Sequence, residues 1–174
     1  QLPVTRYRAA SLWSMSPGYD RPDQQRFDRG ISERCMFCHN GPMEPVAGEP
    51  YAFRPPLAHG ITCERCHGPA LAHVRYRERP VQEVAASGTS GVDPIVSLAA
   101  LPPDRRMEIC QSCHLEGNAR VLREGRQSIY EYRPGEPLGD LMWVFVEEAP
   151  DAELFRHSSH GERLLRSRCA GPGG

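Results

Sequence analysis

Three times in this chain two cysteines stand two residues apart with a histidine directly behind them: Cys35-Met36-Phe37-Cys38-His39, Cys63-Glu64-Arg65-Cys66-His67 and Cys110-Gln111-Ser112-Cys113-His114. On a helix such cysteines lie about one turn apart, so both thiols can form thioethers with the two vinyl groups along one edge of a porphyrin. The next residue then brings an imidazole under the iron. The pattern implies covalent attachment of three haem c groups through Cys35, Cys38, Cys63, Cys66, Cys110 and Cys113. His39, His67 and His114 become the proximal iron ligands.

CxxC pairs are also the knuckles of zinc ribbons, but a ribbon needs no histidine at that position and closes its sites with knuckles in pairs. Three knuckles leave one without a partner. With 7 histidines in 174 residues, chance placement behind all three pairs has a probability on the order of one in ten thousand. Zinc and structural disulfides are therefore the weaker readings. The seventh cysteine, Cys169, is followed by Ala170-Gly171-Pro172-Gly173-Gly174, which supplies neither a second thiol nor an imidazole, so it is expected to hold no haem.

Four histidines remain as distal ligands: His59, His73, His157 and His160. They outnumber the three vacant iron positions, which favours bis-His, low-spin sites over His/Met ones, although Met15, Met43, Met107 and Met142 are available by type. A distal ligand must approach from the face opposite the attached one. His59 and His73, only four to six residues from the second motif, are expected to serve neighbouring haems rather than the one bound between them. His157 and His160 lie about one turn apart and should seldom reach one iron, so one of the four is expected to be surplus.

The elements that must place these residues are short. A helix is expected from Ser32 as N-cap through the first motif, with Glu33 in its first turn and Asn40-Gly41-Pro42 ending it. Residues 41–58 carry five prolines and must run extended or turning. Pro69 suits the start of a helix to about Arg79 that carries His73, residues 85–94 read as a loop, and a helix from Pro103 to Leu115 bears the third motif. Arg120–Arg123, Ser128–Tyr132 and Leu141–Val146 read as three short strands, and 151–168 as a C-terminal helix with His157 and His160 on one face.

The expected fold class is a multihaem cytochrome c with little regular structure: short helices around packed haems, with a small β element near 120–147. It is organised as one trihaem domain over 1–174. Within it, 1–30 is an irregular N-terminal wrap, 31–118 the haem-attachment core, 119–148 a β flap and 151–168 the ligand helix. Composition agrees, since only 39% of residues are hydrophobic while 16 are glycine and 17 proline. A core built from side chains alone would be thin, and porphyrins would supply much of it.

All 21 basic residues are arginine and the formal net charge is −1. This gives no reason to expect nucleic acid or an anionic membrane as partner, while arginine forks suit haem propionates. No apolar run approaches the length of a membrane span, so any association with a membrane complex would go through partner subunits. Covalent haem attachment takes place outside the cytoplasm in bacteria, which implies a periplasmic or extracellular location with the export signal not present in this chain.

Beyond the CxxCH motifs, Trp13-Ser14-Met15-Ser16-Pro17-Gly18-Tyr19-Asp20, Cys38-His39-Asn40, Gly60-Ile61-Thr62-Cys63, Cys66-His67-Gly68-Pro69 and the stretch His157–Cys169 resemble the multihaem cytochromes c often joined to tetratricopeptide repeats. That group is similar to the tetrahaem cytochrome and hydroxylamine-oxidoreductase superfamily. The resemblance implies exported electron transfer through closely packed, mostly bis-His haems. Such proteins usually carry a further CxxCH before the Trp13 region and another after the Cys169 region. Neither is present here, so a fragment or shortened member is expected.

The function expected on these grounds is that of an electron-transfer subunit rather than an enzyme, relaying electrons between other redox proteins or subunits of a larger complex. One alternative is a fragment of a multihaem redox enzyme acting on small nitrogen compounds. It would need an open iron face; related nitrite reductases use lysine there, and this chain has no lysine. Another is a haem-wired structural module of a larger complex or filament.

Overall fold

Ser32 leaves the chain extended and the next seven residues turn helical, so α1 spans Glu33–His39 and closes on Asn40, whose N–H returns to the Met36 carbonyl. The computed structural model describes residues 2–80, 93–115, 117–146 and 160–168. Four further helices follow: α2 (Glu64–His67), α3 (Leu71–Arg77), α4 (Pro103–His114) and α5 (His160–Arg166). Pro103 opens α4, where its missing N–H costs nothing, and Asp104 faces the positive end of the helix. The helix predicted from Pro69 begins two residues later, because Gly68, at φ 76°, reverses the chain first. Of the predicted helix over 151–168, α5 is the described part, and the loop predicted at 85–94 lies largely outside the described residues.

Among the described residues, strands pair only as two-stranded antiparallel ribbons: β1 (Val4–Tyr7) with β2 (Leu12–Met15), β3 (Glu44–Pro45) with β4 (Phe53–Arg54), and β5 (Ala119–Leu122) with β6 (Met142–Phe145). The first corrects the reading of 1–30 as wholly irregular. Val4 opposes Met15 and Tyr7 opposes Leu12, and Ser16 clasps the ribbon's open end with a side-chain bond to the Leu2 carbonyl and a backbone bond to that of Pro3.

A second correction concerns Ser128–Tyr132, read as a strand but folded as a 3-10 turn over Ile129–Glu131. Ser128 accepts from the Tyr130 N–H while Glu131 accepts from the Ser128 N–H, forming a reciprocal capping box. Glu33 of α1 then accepts from the Ile129 N–H at 3.0 Å and from the Ser128 hydroxyl. A local cap and a contact some 95 residues distant in sequence thus override the β propensity of the Ile-Tyr-Glu-Tyr stretch.

The described part of the segment read as a β flap over 119–148, residues 119–146, is more than a flap. Leu122 and Met142 pair on the inner face of β5–β6, while Val121 and Trp143 pair on the exposed outer face. Phe37 of the first motif, Ile129, Tyr132, Leu138, Leu141 and Met142 form the buried cluster. Most of the side-chain core therefore comes from the C-terminal β element, closed over α1.

Candidate haem centres

Each of the three motifs ends a helix on its histidine: α1 at His39, α2 at His67 and α4 at His114. The first cysteine of each motif is exposed and the second half-buried. One sulfur of each pair thus faces the packed interior and the other faces outward. Leu57, Ile61 and Leu71, which flank the second motif in sequence, are 46%, 64% and 62% exposed. Paired thiols, an imidazole one residue on and uncovered apolar side chains around them are what an apolar ring fixed by two thioethers requires, so these residues fit haem c.

The three motifs converge. Cys38 of the first and Cys113 of the third lie close enough for each thiol to perturb the other. The neighbouring thiol and burial push Cys38 up, while Cys113 is drawn down to about 6 by Cys38, with help from Ser112, Arg65 and Arg120. Both pack at the edge of the Phe37 cluster. From the second motif, the Arg65 guanidinium lies 4.2 Å above the Phe37 ring and donates to the Asn40 carbonyl at 3.2 Å. Burial lowers the pKa of Arg65, and its Nε is buried with no hydrogen-bond partner.

Two distal candidates are held near motifs by identifiable bonds. The loop carrying His59 lies against the end of α1: the Gly60 N–H donates to the Asn40 side chain at 2.9 Å, one residue beyond His39. A Cβ at Gly41 would stand 2.7 Å from Thr62, which shows how closely the two segments approach. His160 opens α5, and its ring stands edge-on to His114, with centroids 5.0 Å apart and planes at 89°. Gly161, buried against the His114 carbonyl, permits that approach. Glu162 anchors the helix by accepting from the Gly117 N–H at 2.5 Å.

His73 on α3 is bonded through Nδ1 to Asp93, and His67 through Nδ1 to the Val96 carbonyl. Hydrogen bonding to His73 holds the Asp93 carboxyl below its ordinary range, with the Arg77 charge adding to the effect. His157 and Cys169 lie outside the described residues. Sequence reasoning passed over Asp93, Val96, Gly161 and Glu162, which touch the histidines or carry them. Only Gly161, directly behind a candidate ligand, left a trace that could have been read.

Among the described residues no helix is long and apolar enough to cross a membrane. No curated protein and no solved structure matches the chain. Residues 9–68, about a third of the chain, match the family model described as Cytochrome c554 and c-prime. The matched stretch holds β2, α1, α2 and the first two CxxCH motifs, and the likeness supports a c-type cytochrome, a class that carries haem c and transfers electrons.

Proposed function

We propose that this chain is an exported electron-transfer module bearing three covalently attached haem c groups, which passes electrons between redox partners without making or breaking substrate bonds. Cys35 and Cys38, Cys63 and Cys66, and Cys110 and Cys113 form the thioethers, with His39, His67 and His114 as proximal ligands. His160 is the sixth ligand of the iron bound at His114. His59 and His73 serve the irons at His39 and His67, which reverses the expectation that neither serves the haem bound between them.

The observation that carries this reading is the facing pair of exposed imidazoles on α4 and α5. An imidazole centroid lies about 1.1 Å behind its ligating nitrogen, so two rings holding one metal from opposite sides at roughly 2 Å per bond would have centroids about 6 Å apart. His114 and His160, with centroids 5.0 Å apart, need separate by only about an ångström to reach that. The packing of Cys38 and Cys113 against one Phe37 cluster adds a second support. Rings anchored there begin from neighbouring side chains, and short gaps between cofactors favour electron transfer. Bound haem would supply the one-electron step, and the chain's part is to fix the axial nitrogens and exclude water.

Intact mass under denaturing conditions should show the peptide plus three haems, and all three should be low-spin. His160→Ala should retain three haems by mass while turning one of them high-spin and able to bind carbon monoxide. Fewer than three haems in the fully matured protein, or an H160A spectrum that stays entirely low-spin, would overturn the assignment.

A further inference from the structure

Asp93–Val96 is remote in sequence from the second motif, yet its two ends do the same thing to two imidazoles. The Val96 carbonyl lies 2.8 Å from Nδ1 of His67, and Oδ1 of Asp93 lies 2.5 Å from Nδ1 of His73. The strap is tied in place by the Val96 N–H, which donates to the His67 carbonyl at 3.1 Å. A carbonyl has no proton to give, so Nδ1 of His67 is the donor and its lone pair resides on Nε2. A carboxylate imposes the same tautomer on His73. Its second oxygen is held by Arg77 Nη2 at 2.7 Å, one turn further along α3. Arg77 is two-thirds exposed, but the side chains of His73 and Asp93 are only 27% and 20% exposed, so the pair that matters is the sheltered one.

The two bonds differ in kind. His67 donates to a neutral carbonyl, whereas His73 donates to a charged carboxylate, which draws on the Nδ1 proton and makes Nε2 a stronger donor to a metal. We propose that Asp93 is a positioning residue for His73: it fixes the Nδ1–H tautomer, aims Nε2 at an iron and strengthens that nitrogen as a ligand, lowering the potential of the haem it serves. This rests on the reading of His73 as a distal ligand. A surface ion-pair cluster would show the same three side chains but would leave the ligand field of every iron untouched.

The test uses the matured protein. Asp93→Asn keeps the size and an acceptor oxygen but removes the charge. It should retain three haems by mass, all low-spin, while changing one low-spin electron paramagnetic resonance signal and moving one midpoint potential in the positive direction. His73→Ala should turn one haem high-spin and abolish the signal that D93N alters. Arg77→Met, which relieves Asp93 of its competing cation, should move the same potential the other way and serves if D93N matures poorly. Unchanged resonance signals in D93N, even with potentials shifted through space, would overturn the role of Asp93. If H73A leaves every haem low-spin, the ligand reading fails instead, so the two failures are distinguishable.

Discussion

Phe37 is the side chain on which the three motifs depend together, and its truncation tests whether a side-chain core exists beside the haems. It is 0% exposed, meets Tyr130 edge-on at 5.5 Å and lies beneath Arg65. Phe37→Ala would open a cavity on the order of 100 Å³, which at about 24 cal/mol per Å³ costs roughly 2.4 kcal/mol. The lost burial of the ring adds about 2 kcal/mol. The sum, about 4 kcal/mol, lies within the range usual for this substitution. For a chain of this size guanidinium slopes run at about 4–5 kcal/mol/M, so the unfolding midpoint of the holoprotein should fall by roughly 1 M. Phe37→Leu, which keeps most of the volume, should cost about 1.5 kcal/mol or less. Far-ultraviolet circular dichroism and the Soret band should report the same transition. An F37A midpoint no lower than that of F37L would mean that the ring cluster does not carry the core and that the covalent cofactors hold it alone.

Two further perturbations follow from particular contacts. A Cβ at Gly161 would lie 3.1 Å from the His114 carbonyl and 3.4 Å from the Leu115 Cα, neither of which can swing aside. Gly161→Val, whose branches reach beyond that Cβ, should therefore tilt α5, turn His160 out of line with His114 and produce one high-spin haem with haem content unchanged, and a wild-type spectrum would contradict the pairing. The Tyr130 hydroxyl is buried without a hydrogen-bond partner, and burial pushes its pKa up to about 12. A pKa raised in the fold means a contribution present below the ordinary tyrosine value of about 10 and lost as pH climbs from there toward 12. Tyr130→Phe should consequently move the alkaline unfolding midpoint upward at little cost near neutral pH. Tyr132, raised by burial in the same way, sets the limit that remains, and an unmoved midpoint in Y130F would count against the assignment to Tyr130.

The CxxCH-bearing helices were legible because their signals are local. CxxCH fixes two thiols and an imidazole within one helical turn, Ser32 and Asn40 bracket α1, and Pro103 opens α4. The β5–β6 ribbon was legible too, through short apolar runs rich in β-branched and aromatic residues and split by Gly and Pro, although only the pairing shows Leu122 and Met142 turned inward and Val121 and Trp143 outward. The 3-10 turn at Ile129–Glu131 was not, because Glu33, far away in sequence, captures Ser128 and the Ile129 N–H. The β1–β2 ribbon escaped for the opposite reason. Its residues are exposed on nearly every position, so no face is buried and no alternation is impressed on the sequence.

The proposed ligand pairing was the least legible in the sequence, and the cause is geometric. A histidine's value as a ligand depends on which nitrogen is bare and where the ring is carried, and both are set by groups distant in sequence. Val96 acts on His67 from 29 residues away and Asp93 on His73 from 20. Glu162 reaches 45 residues back to Gly117 to seat the helix that begins at His160. None of these partners carries a motif of its own. A carbonyl belongs to every residue, and aspartate and glutamate are common on any surface. Counting histidines against irons therefore predicts that a surplus exists, but only the hydrogen bonds to Nδ1 and the packing of α5 on α4 distinguish an imidazole that is aimed from one that is merely nearby. By that criterion the proposed ligands are His160 and His73, the first carried by a helix seated at Gly117 and the second backed by a carboxylate.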